Sequence, residues 1–117
     1  MRTVLVVDDH PSLRASAKAV LEAAGFDVLG EAESGSAAIE AIAKLAPDVV
    51  LLDVQLPDMT GFDVCAALAS EQPVACSVIL VSSRDAADYG DAIATSGARG
   101  FIAKADLSAE TIAALLR

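Results

Sequence analysis

Aromatic side chains are scarce in this sequence: they make up 3% of its 117 residues, with no tryptophan, one tyrosine and three phenylalanines. The core must therefore be filled by aliphatic side chains, and 55% of the residues are hydrophobic. Cores rich in valine, isoleucine and leucine are typical of parallel sheets covered by helices. Because the length is close to that of one domain, we expect a single domain over residues 1–117.

Basic residues are also few, since 8 lysines and arginines stand against 17 acidic residues, for a formal net charge of −9. Such a surface repels a phosphate backbone, and no run of lysine or arginine makes a local exception. We therefore expect no direct nucleic-acid binding by these residues.

Cysteines and long apolar runs are sparse as well. Cys65 and Cys76 are too far apart for a CxxC pair and have no histidine partners for a zinc site, so we expect two reduced, buried thiols. The apolar run near the N-terminus is too short for a signal peptide, and no run is long enough to span a membrane. These features predict a cytoplasmic protein without a membrane segment.

Short apolar runs alternate with amphipathic stretches along the chain. The apolar runs predict strands at residues 4–7, 28–29, 49–52, 78–81 and 101–103. The amphipathic stretches predict helices from Pro11, over 36–46, from Thr60, from Asp85 to about Gly97, and from Ser108. Strands and helices in this alternation form right-handed βαβ units, so the predicted fold is α/β, a doubly wound five-stranded parallel sheet.

Polar residues follow four of the predicted strands, at the sheet edge where α/β proteins bind ligands. These residues are Asp8, Asp9, Asp53, Ser82 and Lys104. Three carboxylates and one ammonium leave two net negative charges, and like charges so close need a counter-ion or raised pKa values. Because the candidate ligands are oxygens and one divalent cation would neutralise them, the site favours Mg²⁺.

This arrangement predicts phosphoryl chemistry. A carboxylate beside Mg²⁺ and a lysine can attack phosphorus to form an aspartyl phosphate, a reaction that depends mainly on alignment and charge neutralisation. Asp53 is the expected nucleophile because it ends the central strand of the set. The hydroxyl of Ser82 can hydrogen-bond the phosphoryl oxygens, and Lys104 offsets their charge.

Over essentially its whole length the sequence resembles the receiver domains of two-component response regulators. The resemblance rests on five segments in the right order and spacing: VLVVDD at 4–9, PDVVLLD at 47–53, LPDMTG at 56–61, VSS at 81–83 and GARGFIAK at 97–104. It implies the flavodoxin-like, CheY-like (βα)5 fold and a phosphorylation-dependent signalling switch that takes its phosphoryl group from a sensor histidine kinase or a phosphotransfer protein. The last segment is most similar to receivers that precede LuxR-type helix-turn-helix domains. This similarity implies transcriptional regulation if the sequence is an N-terminal fragment, and a single-domain regulator is the alternative.

The same resemblance implies roles for the residues of the site. Asp53 is the phosphoacceptor and a metal ligand. Mg²⁺ is also held by Asp9 directly, by Asp8 at least partly through water, and by the backbone carbonyl of Gln55. The resemblance leaves dimerisation through the last strand and helices open.

Three further residues receive roles from the resemblance. Ser82 is the switch hydroxyl, Lys104 the phosphate-binding lysine, and Phe101 the aromatic side chain that changes rotamer on activation. Receivers often carry a cis-proline after the lysine, whereas Ala105 follows here, so the usual rigid loop is in doubt. The fourth predicted helix has few apolar anchors and contains Gly90, so we expect it to move most on phosphorylation.

Three alternative interpretations agree less well with the sequence. A lone histidine is weak evidence for a transition-metal site, so we expect His10 to shape the loop before the first helix. Haloacid-dehalogenase-like phosphatases need a second acid two residues after the nucleophile, where this chain has Gln55. A domain that keeps the fold but binds partners without phosphorylation is disfavoured by the complete set of polar residues.

Overall fold

The computed structural model describes residues 2–70 and 76–117. Its five strands are β1 (Thr3–Val7), β2 (Asp27–Ala32), β3 (Val49–Asp53), β4 (Ser77–Ser82) and β5 (Gly100–Ala103). All pairings are parallel, and the strand order is β2-β1-β3-β4-β5. The helices are α1 (Pro11–Ala23), α2 (Gly35–Leu45), α3 (Gly61–Ala69), α4 (Ala92–Thr95) and α5 (Ala109–Leu116). The predicted doubly wound parallel fold is confirmed. None of the helices in the described ranges has the length and apolar character needed to cross a membrane.

The core lies on both faces of the sheet because successive strand residues point to opposite sides. On one face Leu5 and Leu52 join the buried residues of α2 and α3. On the other face Leu51 packs with Leu21 of α1 and Ile112 of α5. Full burial of such side chains stabilises the fold by about 1.5–3 kcal/mol each. The central strands β1 and β3 therefore lie between two layers of helices.

The loop after β3 is tied to the start of α2. Ser34 caps this helix by accepting a hydrogen bond from the amide of Ala37 at 3.1 Å. The carboxylate of Asp58 accepts bonds from the amides of Gly35 at 2.8 Å and Ser36 at 3.0 Å. These backbone bonds lower the pKa of Asp58. Asp58 therefore has a structural role at the start of α2.

Gly61, the first residue of α3, lies close to the end of β3. Its amide donates to the carbonyl of Val54 at 2.7 Å. A Cβ atom at this position would lie 2.8 Å from the carbonyl oxygen of Asp53 and 3.1 Å from the Cα atom of Val54, both of them backbone atoms. Only a glycine allows this approach, which holds the backbone of Asp53 in place.

The prediction of one continuous fourth helix from Asp85 to about Gly97 is wrong. A 3-10 turn spans Ala86–Tyr89, Gly90 follows with φ 56°, and α4 is only four residues long. Neither the turn nor α4 contains a buried residue. Short helices depend on packing of an apolar stripe for their stability, and this segment has no such stripe.

Candidate functional site

The strand order brings the polar strand-end residues to one edge of the sheet. β1 and β3 are neighbours, with Val7 opposite Leu52, so the residues that follow these positions, Asp8 and Asp53, lie side by side. β4 lies between β3 and β5, and Ser82 pairs with Ala103, the residue before Lys104. The structure thus places the predicted residues at the ends of four adjacent strands, β1, β3, β4 and β5.

Four side chains form an acidic cluster at this edge: Asp8, Asp9, His10 and Asp53. Each offers one ligand atom, and these four atoms all lie within 4.8 Å of one another. Asp8 is 1% and Asp53 2% exposed, whereas Asp9 and His10 are exposed to solvent. The cluster therefore reaches from a buried floor to the surface, where an ion can enter.

Lys104 is the cation of the cluster. Its Nζ atom lies 2.9 Å from Oδ2 of Asp8 and 3.2 Å from Oδ2 of Asp53. The contact with Asp53 is a hydrogen bond, whereas no group in the described residues donates a well-directed hydrogen bond to the buried Oδ2 of Asp8. A buried carboxylate oxygen without such a bond, beside two more carboxylates, fits a hard divalent cation such as Mg²⁺.

The two buried carboxyls differ in pKa. Burial, followed by the charge of Asp8, raises the pKa of Asp53 to about 6. Burial alone would also raise the pKa of Asp8, but the hydrogen bond from the amide of His10 and the contacts with Lys104 outweigh it and lower that pKa. Asp53 is therefore the carboxyl that takes up a proton first when no ion is bound.

The titration of Asp53 can be followed directly. In metal-free buffer we expect its carboxyl carbon signal in NMR spectra to titrate near pH 6, while exposed carboxyls titrate about two pH units lower. Added Mg²⁺ should shift the midpoint to lower pH, because the ion and the proton compete for the same oxygens. A midpoint near pH 4 without the ion would contradict the repulsion described for this cluster.

His10 lies closer to the acids than the sequence indicated. Its Nδ1 atom is 3.0 Å from Oδ1 of Asp8 and 3.1 Å from Oδ1 of Asp9. Its amide also donates to Asp8 at 2.8 Å, and its residue is the N-cap of α1. The expected role at the start of the helix thus stands beside a place at the rim of the cluster, and only its position next to Asp9 in the sequence pointed there.

Gln55 contacts the cluster, whereas Phe101 lies on β5 next to Tyr89. Gln55 is exposed, and its amide donates to Oδ1 of Asp53 at 3.2 Å. Phe101 is half-buried on β5, with its ring centroid 6.0 Å from that of Tyr89. The metal role of the Gln55 carbonyl and the rotamer change of Phe101 stay predictions.

Sequence reasoning missed the partner of Ser82. This serine is 1% exposed, and its Oγ atom lies 2.5 Å from the hydroxyl of Tyr89. Oγ also accepts a hydrogen bond from the amide of Arg84 at 3.1 Å. Nothing in the sequence pattern pointed to Tyr89 beyond its being the one tyrosine of the chain.

The comparisons with known proteins agree with this geometry. The family model of the response regulator receiver domain matches residues 4–117. The chain belongs to this family. It is a receiver domain of the kind found in two-component systems, and its relatives include transcriptional regulators.

Two curated relatives are about twice as long as this chain. The DNA-binding transcriptional activator EvgA of Escherichia coli K12 is 32% identical over 111 residues, 95% of this chain and 54% of that protein. The transcriptional regulatory protein TcrX of Mycobacterium tuberculosis is 42% identical over 102 residues, 87% of this chain and 43% of that protein. The receiver thus spans about half the length of these relatives.

Solved structures agree with the fold. The signal receiver domain of the response regulator NarL from Mycobacterium tuberculosis superposes with a TM-score of 0.89 at 37% identity, covering 98% of this chain and 93% of that chain. A LuxR-family DNA-binding response regulator from Staphylococcus aureus has a TM-score of 0.87 at 23% identity, covering 99% of this chain and 96% of that chain, which supports the fold alone.

Proposed function

We propose that this receiver accepts a phosphoryl group on Asp53 from the phosphohistidine of a sensor histidine kinase in the cytoplasm. The observation that carries the proposal is the set of three carboxylates with ligand atoms within 4.8 Å of one another, two of them in contact with one lysine. These groups come from distant parts of the chain, so local charge patterning does not explain their meeting. A site for a divalent cation and a phosphoryl group does explain it.

In the proposed reaction one carboxylate oxygen of Asp53 forms a bond to phosphorus while the bond from phosphorus to the histidine nitrogen breaks. The electron pair of that bond stays on the leaving nitrogen. Asp8, Asp9, Asp53 and the Gln55 carbonyl would hold Mg²⁺, which would supply positive charge to stabilise the phosphoryl oxygens. Lys104 adds a second positive charge next to the attacking carboxylate.

Ser82 completes the proposed site as the hydroxyl that binds a phosphoryl oxygen on the modified Asp53. The receiver catalyses its own phosphorylation by the donor and its own dephosphorylation, in which water accepts the phosphoryl group and inorganic phosphate leaves. Because EvgA is named as a DNA-binding activator, we propose that the whole protein regulates transcription. A DNA-binding output segment would supply the nucleic-acid contact that the acidic receiver lacks.

Incubation with acetyl phosphate or phosphoramidate tests this function. In the presence of Mg²⁺ we expect the intact mass to increase by one phosphoryl group, and excess chelator to prevent the increase. The chelated sample is the matched control, since only the ion differs between the two. The proposal fails if the wild-type receiver gains no mass with Mg²⁺, or gains it equally when the ion is removed.

A further inference from the structure

Tyr89 joins the broken fourth-helix segment, defined as residues 85–97, to the end of β4. Of these residues, all of which lie in the described part of the chain, only Tyr89 packs against the hydrophobic core. The 3-10 turn ends at Tyr89, and Gly90 after it has a positive φ of 56°. The position of this segment therefore depends strongly on how Tyr89 is held.

The Tyr89 ring is fixed by two other aromatic rings. Its centroid lies 5.5 Å from that of Phe62 in an edge-on arrangement and 6.0 Å from that of Phe101. Three of the four aromatic side chains of the chain thus meet at this point. With its ring fixed in this way, Tyr89 presents its hydroxyl to Ser82.

The Ser82 hydroxyl is turned towards Tyr89. Its Oγ atom lies 2.5 Å from the tyrosine hydroxyl, and the described residues show no hydrogen bond from it to Asp53 or Lys104. A phosphoryl group on Asp53 would offer charged oxygens, which accept stronger hydrogen bonds than a neutral phenol does. Ser82 gives up its bond to Tyr89 when it donates to these oxygens, and only the two ring contacts then hold Tyr89.

We propose that the Tyr89–Ser82 hydrogen bond is a latch on the unphosphorylated receiver, which opens when Ser82 binds the phosphoryl group and so loosens residues 85–97. The inference rests on the proposed function of Asp53 and Ser82. In this proposal Tyr89, in the broken fourth-helix segment, is a positioning residue that acts through Ser82. Phe101, which has no hydroxyl, contributes only ring packing.

Beryllofluoride, a mimic of the phosphoryl group, measures the latch at equilibrium. In Mg²⁺ we expect Tyr89→Phe to bind beryllofluoride about fivefold more tightly than the wild type, because the variant need not break a hydrogen bond of ordinary net strength. Ser82→Ala should bind it more weakly. In the Ser82→Ala background, Tyr89→Phe should not tighten beryllofluoride binding, since the latch is already absent.

The single tyrosine gives a second measurement, because with no tryptophan present the intrinsic fluorescence comes from Tyr89 alone. We expect this emission to change when the wild type binds beryllofluoride, and the emission of unmodified Ser82→Ala to match that of the bound wild type. Amide exchange over residues 85–97 should be about fivefold faster in unmodified Tyr89→Phe than in the wild type.

The latch alone would be overturned if the wild type bound beryllofluoride with unchanged Tyr89 emission, or if Tyr89→Phe bound it no more tightly than the wild type. Equal tightening by Tyr89→Phe with and without Ser82 would also overturn it, because the effect would then not pass through Ser82. Wild type that neither binds beryllofluoride nor gains a phosphoryl group would overturn the proposed function instead, and the latch with it.

Discussion

Replacing Asp53 with asparagine is expected to abolish phosphoryl labelling and, in metal-free buffer at pH 7, to stabilise the fold. Burial and the charge of Asp8 raise the pKa of Asp53 to about 6, so its ionised form is unfavourable in the folded state. After solvent screening we expect the free energy of unfolding to increase by about 1–2 kcal/mol. Urea unfolding and intact-mass measurement on the same preparations check both effects.

The size of this effect depends on pH. A carboxyl with a raised pKa in the folded state contributes most to stability below its unfolded pKa, and this contribution is lost as the pH rises through about 6. The gain from Asp53→Asn should therefore shrink as the pH falls from 7 towards 4. Mg²⁺ should also reduce it, because the ion neutralises the carboxylate that the variant lacks.

Asp58→Asn is the matched control. It also removes one carboxylate, but one whose pKa is lowered in the folded state, whereas the pKa of Asp53 is raised. The amides of Gly35 and Ser36 lower the pKa of Asp58, so its ionised form stabilises the fold. We expect this variant to unfold at lower urea concentration and to keep its phosphoryl labelling. If Asp53→Asn lowered the stability as Asp58→Asn does, the unfavourable burial and repulsion assigned to the Asp53 carboxylate would be wrong.

Replacing Lys104 with alanine is expected to give the second large effect. Its Nζ atom contacts both Asp8 and Asp53, and the side chain is only 18% exposed. Removing it leaves two buried carboxylates without their cation, which we expect to cost about 2 kcal/mol of stability in metal-free buffer, less than for a fully buried pair. Labelling by acetyl phosphate should slow by about tenfold or more, since the variant lacks the positive charge that stabilises the phosphoryl group.

Mg²⁺ separates the two roles of Lys104. We expect the variant to bind the ion, as calorimetry would show, and the ion to restore part of the lost stability. Residues 85–97 should no longer change their amide exchange on beryllofluoride addition. Lys18→Ala, which alters an exposed lysine of α1, is the control and should change none of these properties. Normal labelling by Lys104→Ala would show that the lysine contact has no part in phosphoryl transfer.

The sheet and the convergence of its polar residues could be predicted because both follow from strand pattern. The apolar runs that became β1 and β3 are buried along nearly their full length, and parallel strands end at one edge. Asp8 and Asp53 follow or end those runs, so their closeness was predictable once the strands were placed. The start of α3 at its N-cap Thr60 was also predictable, since the capping box is a local sequence pattern.

The rest depends on tertiary contacts that local patterns do not encode. Residues 85–97 have helix-forming alanines, but a helix without a buried stripe gains little from packing, and Gly90 interrupts it. The bond between Tyr89 and Ser82 joins side chains on different elements, and the Asp58 carboxylate accepts a bond from a backbone amide at the start of α2. Such contacts appear only when loops have been placed on the sheet.

The nucleophile can be identified by chemistry at the residue itself. After labelling with acetyl phosphate in Mg²⁺, borohydride reduction converts an aspartyl phosphate to homoserine, which tandem mass spectrometry locates in the sequence. Homoserine at position 53 and nowhere else is the expected result. Homoserine at position 8 or 9, or a labelled chain with an unreduced Asp53, would mean that the carboxylate at the end of β3 does not take the phosphoryl group.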